Sequence, residues 1–368
     1  MNTTGTRGTT SALHTALCER LGIRYPIFGF SHSVEVTAAI TNAGGLGVYG
    51  ATRDMPDAIA TRLAEIRSRV GDRPFGVDLL LPVGMADRND WAAAEARIPD
   101  GHKAFVRHLK EKYRVPDATG PSFFSSVVRS NELFEAQADA VLSSDADLFA
   151  CAIGTPPHVV ARAKETGKLT LSLVGAPKHV RHARRAGVDL LVAQGYDAGG
   201  HTGPIGTMSL VPQIVDAAEG LPVLAAGGIA DGRQVAAALA LGAQGVWLGT
   251  VWLATAEHRV HPRILEKLLR AGSTDTVITR SHSGKPCRVL RGAWTEEWEA
   301  EDAPAPLAMP YQQVLIGELL TAVVEHEIEP LMYEGAGQGV AWCTEVTTVA
   351  AVVERLVAGA EAALRTLR

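Results

Sequence analysis

The residues with the most chemical potential lie in one short stretch, Gln194-Gly195-Tyr196-Asp197-Ala198-Gly199-Gly200-His201-Thr202-Gly203. Consecutive small residues let a ligand lie flat against the backbone, and His201 projects into the same space. An imidazole ionises near pH ~6.5, so it can bind an anion as a cation or take a proton as a neutral base. Two further small-residue groups follow, Ala225-Ala226-Gly227-Gly228-Ile229 and Gly245-Val246-Trp247-Leu248-Gly249-Thr250. Free main-chain N–H groups at such places hold phosphate, and a helix starting at about Asp231 would aim its dipole there. Phosphate at one end and an apolar, Gly-lined floor at the other suit a flavin mononucleotide (FMN).

Other candidates carry less. Gly45-Leu46-Gly47-Val48-Tyr49-Gly50 matches the dinucleotide fingerprint GxGxxG, but that motif needs a strand before it and a helix after it. Here the order is reversed, so the glycines, led by Gly44 and Gly45, read as a tight helix-to-strand turn. The chain has 12 histidines but no HxxxH or HExxH spacing, and the helical pair His179 and His182 lacks a carboxylate companion. No metal site is expected. Arg280, Lys285, Arg288 and Arg291 surround Ser283-Gly284-Lys285-Pro286 and could receive an anionic substrate such as an acyl-CoA phosphate. The favoured reading is a solvated loop paired with Glu296, Glu297 and Glu299. Asp197, four residues before His201, could orient it or face solvent.

Elements that would position these groups recur along the chain. Short apolar runs at 25–31, 46–51, 75–81, 147–154, 168–175, 189–196, 221–229 and 245–253 read as parallel strands buried on both faces. Helical periods at 34–43, 56–69, 156–165, 177–186 and 232–241 alternate with them. Pro156 and Pro177 suit a first helical turn, and Gly187 and Gly242 suit helix ends. Eight such units predict a closed (β/α)8 barrel, in which strand C-termini and the loops after strands seven and eight build the site. A doubly wound open sheet is the alternative. We expect a barrel over 12–257 with a charged insertion at 82–130 after the third strand. An accessory or lid segment at 258–335 and a C-terminal stretch at 336–368, whose helix covers 347–367, complete the organisation.

Composition narrows the class. The chain has 368 residues, 46% hydrophobic and 20% charged, enough to bury a large core. A formal net charge of −5 argues against broad nucleic-acid binding, which needs a basic face. Cys18, Cys151, Cys287 and Cys343 form no CxxC pair, so a reducing cytoplasm fits. Residues 1–13 are polar and lack the apolar run of a secretion leader, and no stretch of ~18 apolar residues suggests a membrane span. The expected partners are a small-molecule substrate and O2, with neither nucleic acid nor membrane; a homo-oligomer stays open.

Taken in order, Asn42-Ala43-Gly44-Gly45-Leu46-Gly47, Val192-Ala193-Gln194-Gly195, Ala198-Gly199-Gly200-His201, Ala226-Gly227-Gly228-Ile229 and Leu248-Gly249-Thr250 resemble the nitronate monooxygenases. These FMN-dependent barrels were formerly called 2-nitropropane dioxygenases. The resemblance covers about 23–260, the Gly284-Lys285-Pro286 region and the last helix. It implies oxidation of alkyl nitronates by O2 to a carbonyl compound and nitrite. It also implies that Gln194, Gly199 and Gly200 meet the flavin and its ribityl chain. Gly227, Gly228 and the segment Trp247-Leu248-Gly249-Thr250 would hold the phosphate, and His201 would be the active-site histidine. Flavin-dependent enoyl-acyl-carrier-protein reductases share the Gly-Gly-His loop, so NAD(P)H-dependent reduction of an acyl thioester, or a step in secondary metabolism, is the alternative. A flavin-free binding protein on the same barrel is a third reading, against which the intact glycines argue.

Three departures from the family pattern stand out. Asp78, in Phe75-Gly76-Val77-Asp78, occupies the place of a cofactor-bonding Asn and brings a carboxylate acceptor instead of an amide donor. His32, in Pro26-Ile27-Phe28-Gly29-Phe30-Ser31-His32, stands where Met is common, within reach of substrate. Trp247 replaces a frequent Gln.

Overall fold

The apolar runs fold as β1 (Ile27–Ser31), β2 (Leu46–Gly50), β3 (Gly76–Leu80), β4 (Leu148–Ala152), β5 (Leu169–Val174) and β6 (Leu190–Gln194). After a two-residue strand β7 (Gly200–His201), the series resumes with β8 (Val223–Ala226) and β9 (Gly245–Leu248). In this computed structural model, which describes residue 11 and residues 13–366, β1 to β6, β8 and β9 close into a parallel barrel. Closure is made by β9 pairing with β1, Val246 opposite Ile27 and Trp247 opposite Phe28. Residue 12, where the sequence reading starts the barrel, most of the polar segment 1–13 and the end of the last helix at 367 fall outside the described residues.

Helices fill the gaps as the periodicity requires. Val34–Asn42, Pro56–Val70, Pro157–Glu165, Pro177–Ala186 and Gly232–Ala240 each lie within a residue or two of expectation. The strands are shorter than the apolar runs. The run 245–253, for example, leaves the sheet after Leu248 and tightens into a 3-10 turn, Thr250–Trp252.

Alternation along each strand makes two cores. Phe28, Val48, Leu148, Leu171, Val192, Leu224 and Trp247 fill the barrel interior. Ile27, Tyr49, Val77, Phe149, Leu191, Ala225 and Val246 face the helices. Gly47 belongs to the GxGxxG string, and its role is steric. A Cβ there would stand 2.0 Å from the Thr37 carbonyl oxygen, so glycine lets the preceding helix lie against β2. The order helix-then-strand around this string excludes the dinucleotide reading.

Outside the barrel, the insertion and the segment after β9 pack together. Helices Asp100–Lys112 and Tyr311–Glu325 share an apolar core with Ile264, Leu268, Trp294, Trp298, Leu331 and Met332. Two strands of this segment, β10 (Thr276–Thr279) and β11 (Cys287–Leu290), form an antiparallel sheet that takes up β7 as its edge. The last helix, Val349–Thr366, lies on the barrel helix Gly232–Ala240, where Gly232 and Gly359 permit close contact. Among the described residues, no helix is long and apolar enough to cross a membrane.

Candidate active site

A cavity of about 1680 Å³ opens at the C-terminal ends of the strands, walled on its far side by the accessory segment. Its lining includes His32, Asp78, Gln194, Gly199, Gly200, His201, Gly227, Gly228, Trp247, Leu248, Gly249 and Thr250, so every residue expected at the flavin or the substrate borders one space. Their roles there differ.

His201 is fixed from both sides. Its backbone pairs with Cys287 of β11, and its carbonyl accepts from Gln194 Nε2 at 2.9 Å. Its Nε2 shares a hydrogen bond with Ser283 Oγ at 2.7 Å. Burial, then the positive charges of Arg129, Lys285 and Arg53, lower its pKa to about 3. Of the two states open to it in sequence, the neutral one holds at physiological pH. The preceding Gly200 has φ +73° and open space where a Cβ would stand, so the turn into β7 needs glycine. Gly199 is small for another reason, since a Cβ there would meet the backbone of Ala336 and Gly337.

His32 faces the cavity from beyond β1, with Nδ1 donating to the Gly50 carbonyl at 2.6 Å. That leaves Nε2 as a lone pair, and its deep position, together with Arg53, lowers its pKa to about 3. Ser33 caps the following helix, accepting from the Val36 N–H. Asp197 neither orients His201 nor turns to solvent; it accepts from the Thr207 N–H at 2.8 Å, at the start of helix Thr207–Ala218.

Asp78 points into the barrel, as Gly76 does two residues earlier, with Val77 and Leu79 facing the helices. It is 4% exposed, its Oδ1 has no partner among the described residues, and burial raises its pKa to about 7. The expectation of a plain charged acceptor is therefore corrected. A large fraction of Asp78 is protonated near neutrality, and the acid O–H is a donor like the amide it replaces.

The rim beyond β8 and β9 is backbone. Gly227 and Gly228 have φ of +111° and +67°, and their N–H groups, with that of Gly249, donate to no protein acceptor among the described residues. A Cβ on Gly249 would enter open space. Asp231 caps helix Gly232–Ala240 next to them. Trp247 is different: its ring lies in the barrel floor, stacked on Phe30 at 6.1 Å, and cannot follow the phosphate assignment. The Leu248 side chain packs in the helix-facing core, which leaves only its backbone for a ligand. Unpaired amides at one end, an apolar floor of Phe30 and Trp247, and an orphaned donor-capable carboxyl between them fit a flavin phosphate and ring.

Several lining residues escaped the sequence reading. His282 Nδ1 shares a hydrogen bond with Tyr333 Oη at 2.9 Å, and the Tyr333 ring stacks on Trp294. The His282 ring lies 6.2 Å from that of His201, and burial holds its pKa well below the ordinary value. Arg53, Arg129, His258 and Glu334 also border the cavity. The basic cluster around Ser283 divides. Arg291 pairs with Glu299 at 3.3 Å, as the solvated-loop reading requires. Arg288 is buried, bonding the Tyr196 carbonyl and Thr276 and holding the loop before His201. Only Lys285 turns to the cavity. The signal for it was present, in the Ser-Gly-Lys-Pro string.

The sequence family described as nitronate monooxygenase matches residues 14–359. The chain belongs to that family. A putative monooxygenase of Mycobacterium tuberculosis is 46% identical over 315 residues, covering 83% of this chain and 84% of that one. The (3aS,4S,5R,7aS)-5-hydroxy-7a-methyl-1-oxo-octahydro-1H-indene-4-carboxyl-CoA dehydrogenase of the same organism is 33% identical over 294 residues, covering 78% and 69%. The crystal structure of nitroalkane oxidase from Streptomyces ansochromogenes superposes with a TM-score of 0.80 at 29% identity, over 96% of this chain and all of that one. This member of the nitronate monooxygenase family is a flavin-dependent oxidoreductase on a (β/α)8 barrel.

Proposed function

We propose that the flavin is FMN and that the reaction is oxidation of an alkyl nitronate by O2 to a carbonyl compound and nitrite. The observation that carries this is His201: a neutral imidazole bonded to Ser283, its backbone carbonyl held by Gln194, facing a cavity with a rim of unpaired backbone amides. Bound FMN would supply the electron chemistry that links a carbanion-like nitronate to oxygen. The protein's part is proton handling and placement. In the tautomer that donates from Nε2 to Ser283, His201 Nδ1 is a base that can take the α-proton of a neutral nitroalkane. His32 Nε2 is a second acceptor on the β1 side. Gly227, Gly228 and Gly249 would bind phosphate through their amides, Gln194 and Asp78 would meet the ring system, and Phe30 with Trp247 would form its dry floor.

The insertion and accessory segment together would act as the lid that excludes water from this chemistry. The four described cysteines are free and buried, which suits a reducing cytoplasm.

Anaerobic mixing tests the reading. Ethyl nitronate should bleach the flavin absorbance of the purified protein, and air should then yield nitrite, with NADPH inert. The second reading, reduction of an acyl thioester, is favoured by the carboxyl-CoA dehydrogenase relative. It requires bleaching by NADPH and little nitrite, a result that would overturn the first.

A further inference from the structure

Arg129 is 5% exposed, its Nη1 has no hydrogen-bond partner, and no carboxylate lies within ion-pair distance among the described residues. A buried, unpaired guanidinium is costly to keep and calls for an explanation. Arg129 borders the cavity just before Ser130, which caps the helix after β3. Burial and Arg53 lower even its pKa, to about 10, so a second cation is near. Arg53 follows β2 on a loop clamped in place: Asp54 accepts from Tyr49 Oη and Arg62, and Gln137 donates to the Thr52 and Asp54 carbonyls. Lys285 arrives from the accessory segment. None of the three forms an ion pair among the described residues.

Of the carboxylates that share the cavity wall, Asp78 is shifted by burial alone, with no contribution from Arg129 or Arg53, and the four glutamates are engaged elsewhere. Glu35 pairs with Arg259 and Arg69, Glu65 with Arg69, Glu325 binds Thr119, and Glu334 accepts from Gly335 N–H. Behind Arg129 lies a void of about 10 Å³ beside Gln313, whose carboxamide is also unpartnered. A neutral group there can satisfy an N–H but cannot balance a charge.

These cations do not serve the flavin phosphate. In a closed ring of eight strands the third stands opposite the seventh, and here the seventh barrel strand is β8. Arg129 and Arg53 therefore lie across the mouth from the Gly227–Gly228 rim. We propose that Arg129, with Arg53 and Lys285, forms a subsite for a second anionic group, carboxylate or phosphate, carried by the substrate at the end remote from the reacting carbon. That the anion belongs to a substrate rests on the flavin reading; the subsite itself does not.

Calorimetric titration of the purified protein tests this without turnover. The probes are 3-nitropropionate, its neutral counterpart 3-nitropropanamide, and adenosine 3′,5′-bisphosphate as the phosphate end of a coenzyme A ester. One of the two anions should bind at least about tenfold more tightly than the amide, the size of one charged hydrogen bond. Arg129→Gln should erase that preference and leave amide binding unchanged, while Arg129→Lys keeps part of it. Because Arg129→Gln removes an unbalanced buried charge, it should melt no lower than the wild type without ligand, and it should lose the wild type's upward shift with the anion. A carboxylate preference names a nitro acid or similar substrate, and a bisphosphate preference names an acyl-CoA. Equal affinity for all three probes in the wild type, or a preference that survives Arg129→Gln, overturns the proposal. A colourless protein that still binds the anion through Arg129 would remove the flavin reading and leave this one standing.

Discussion

Across the barrel mouth, the rim beyond β8 and β9 offers backbone, whereas the rim beyond β2 and β3 offers long side chains. On the first, Gly227, Gly228 and Gly249 present amides that no acceptor among the described residues uses. On the second, Arg53 and Arg129 are charges with no ion-pair partner among the described residues. The first arrangement is rigid and specific in shape, and the second is long-ranged and specific in charge. An enzyme that must retain one partner and exchange another has reason to separate them in this way. His201 stands between the two rims, on a strand that the accessory segment holds by β-pairing.

The largest effect should come from the group between the rims. His201→Ala should lower kcat/KM by about 10² to 10⁴, the range for a positioned acid or base, while absorbance shows the flavin retained. If turnover is unchanged, the imidazole leaves the mechanism, and the two rims need no mediator.

Gly228→Val tests the backbone rim. At φ +67° any side chain is strained, and a Cβ would stand 2.9 Å from the Asp197 Cβ. Flavin affinity, read by ultrafiltration, should fall by on the order of tenfold or more. Gly206→Ala is the control, because φ is −59° there and nothing lies within 4 Å of the added carbon. Equal flavin content in both variants would mean that the rim's glycines serve packing alone.

Asp78, between the rims, gives a pH signature. Its folded pKa of about 7 exceeds the ordinary 3.8, so the native state binds more protons than the unfolded state between those values. Asp78 therefore costs stability increasingly as pH rises from 3.8 to 7, and the cost is constant above. Asp78→Asn has no ionisation to pay for. In flavin-free protein its advantage over wild type should grow by on the order of 2 kcal/mol between pH 5 and pH 8. The comparison must be against wild type at each pH, since His32 and His201, with lowered pKa values, make both proteins less stable as pH falls below 6.5. An advantage independent of pH would mean that Asp78 has an unseen partner for its charge.

How legible each rim was follows from the same physics. Parallel strands buried on both faces write themselves as continuous apolar runs, so the barrel and its order could be read directly. A backbone site is written in glycines and follows a strand at once, so Gly228 and Gly249 were visible. Arg129 was not, because 49 residues separate it from the end of β3 and nothing local distinguishes it from the other arginines. Its position is set by Ser130, which caps the barrel helix after the insertion. His282 and Tyr333 are 51 residues apart and meet only because the accessory core brings them together. Trp247 was misassigned because it lies within β9, its side chain in the barrel floor, whereas Gly249 lies past the strand end, at the rim.

The smallest effect separates placement from chemistry on the side-chain wall. Tyr333→Phe keeps the ring, and with it the stacking on Trp294 at 5.6 Å, but removes the hydroxyl that bonds His282. One neutral hydrogen bond contributes about 1 kcal/mol, so thermal stability should fall by that order. His282 touches His201 only through space, ring to ring at 6.2 Å, and shares no hydrogen bond with it. If the accessory segment only shapes the cavity, kcat should change by no more than a few-fold, and its pH profile should keep the wild-type form. A loss approaching that of His201→Ala, with the melting temperature barely moved, would mean that the His282–Tyr333 pair handles a proton. The wall that the sequence left blank would then be part of the reacting centre, and the division between a backbone rim that holds and a side-chain rim that selects would have to be redrawn.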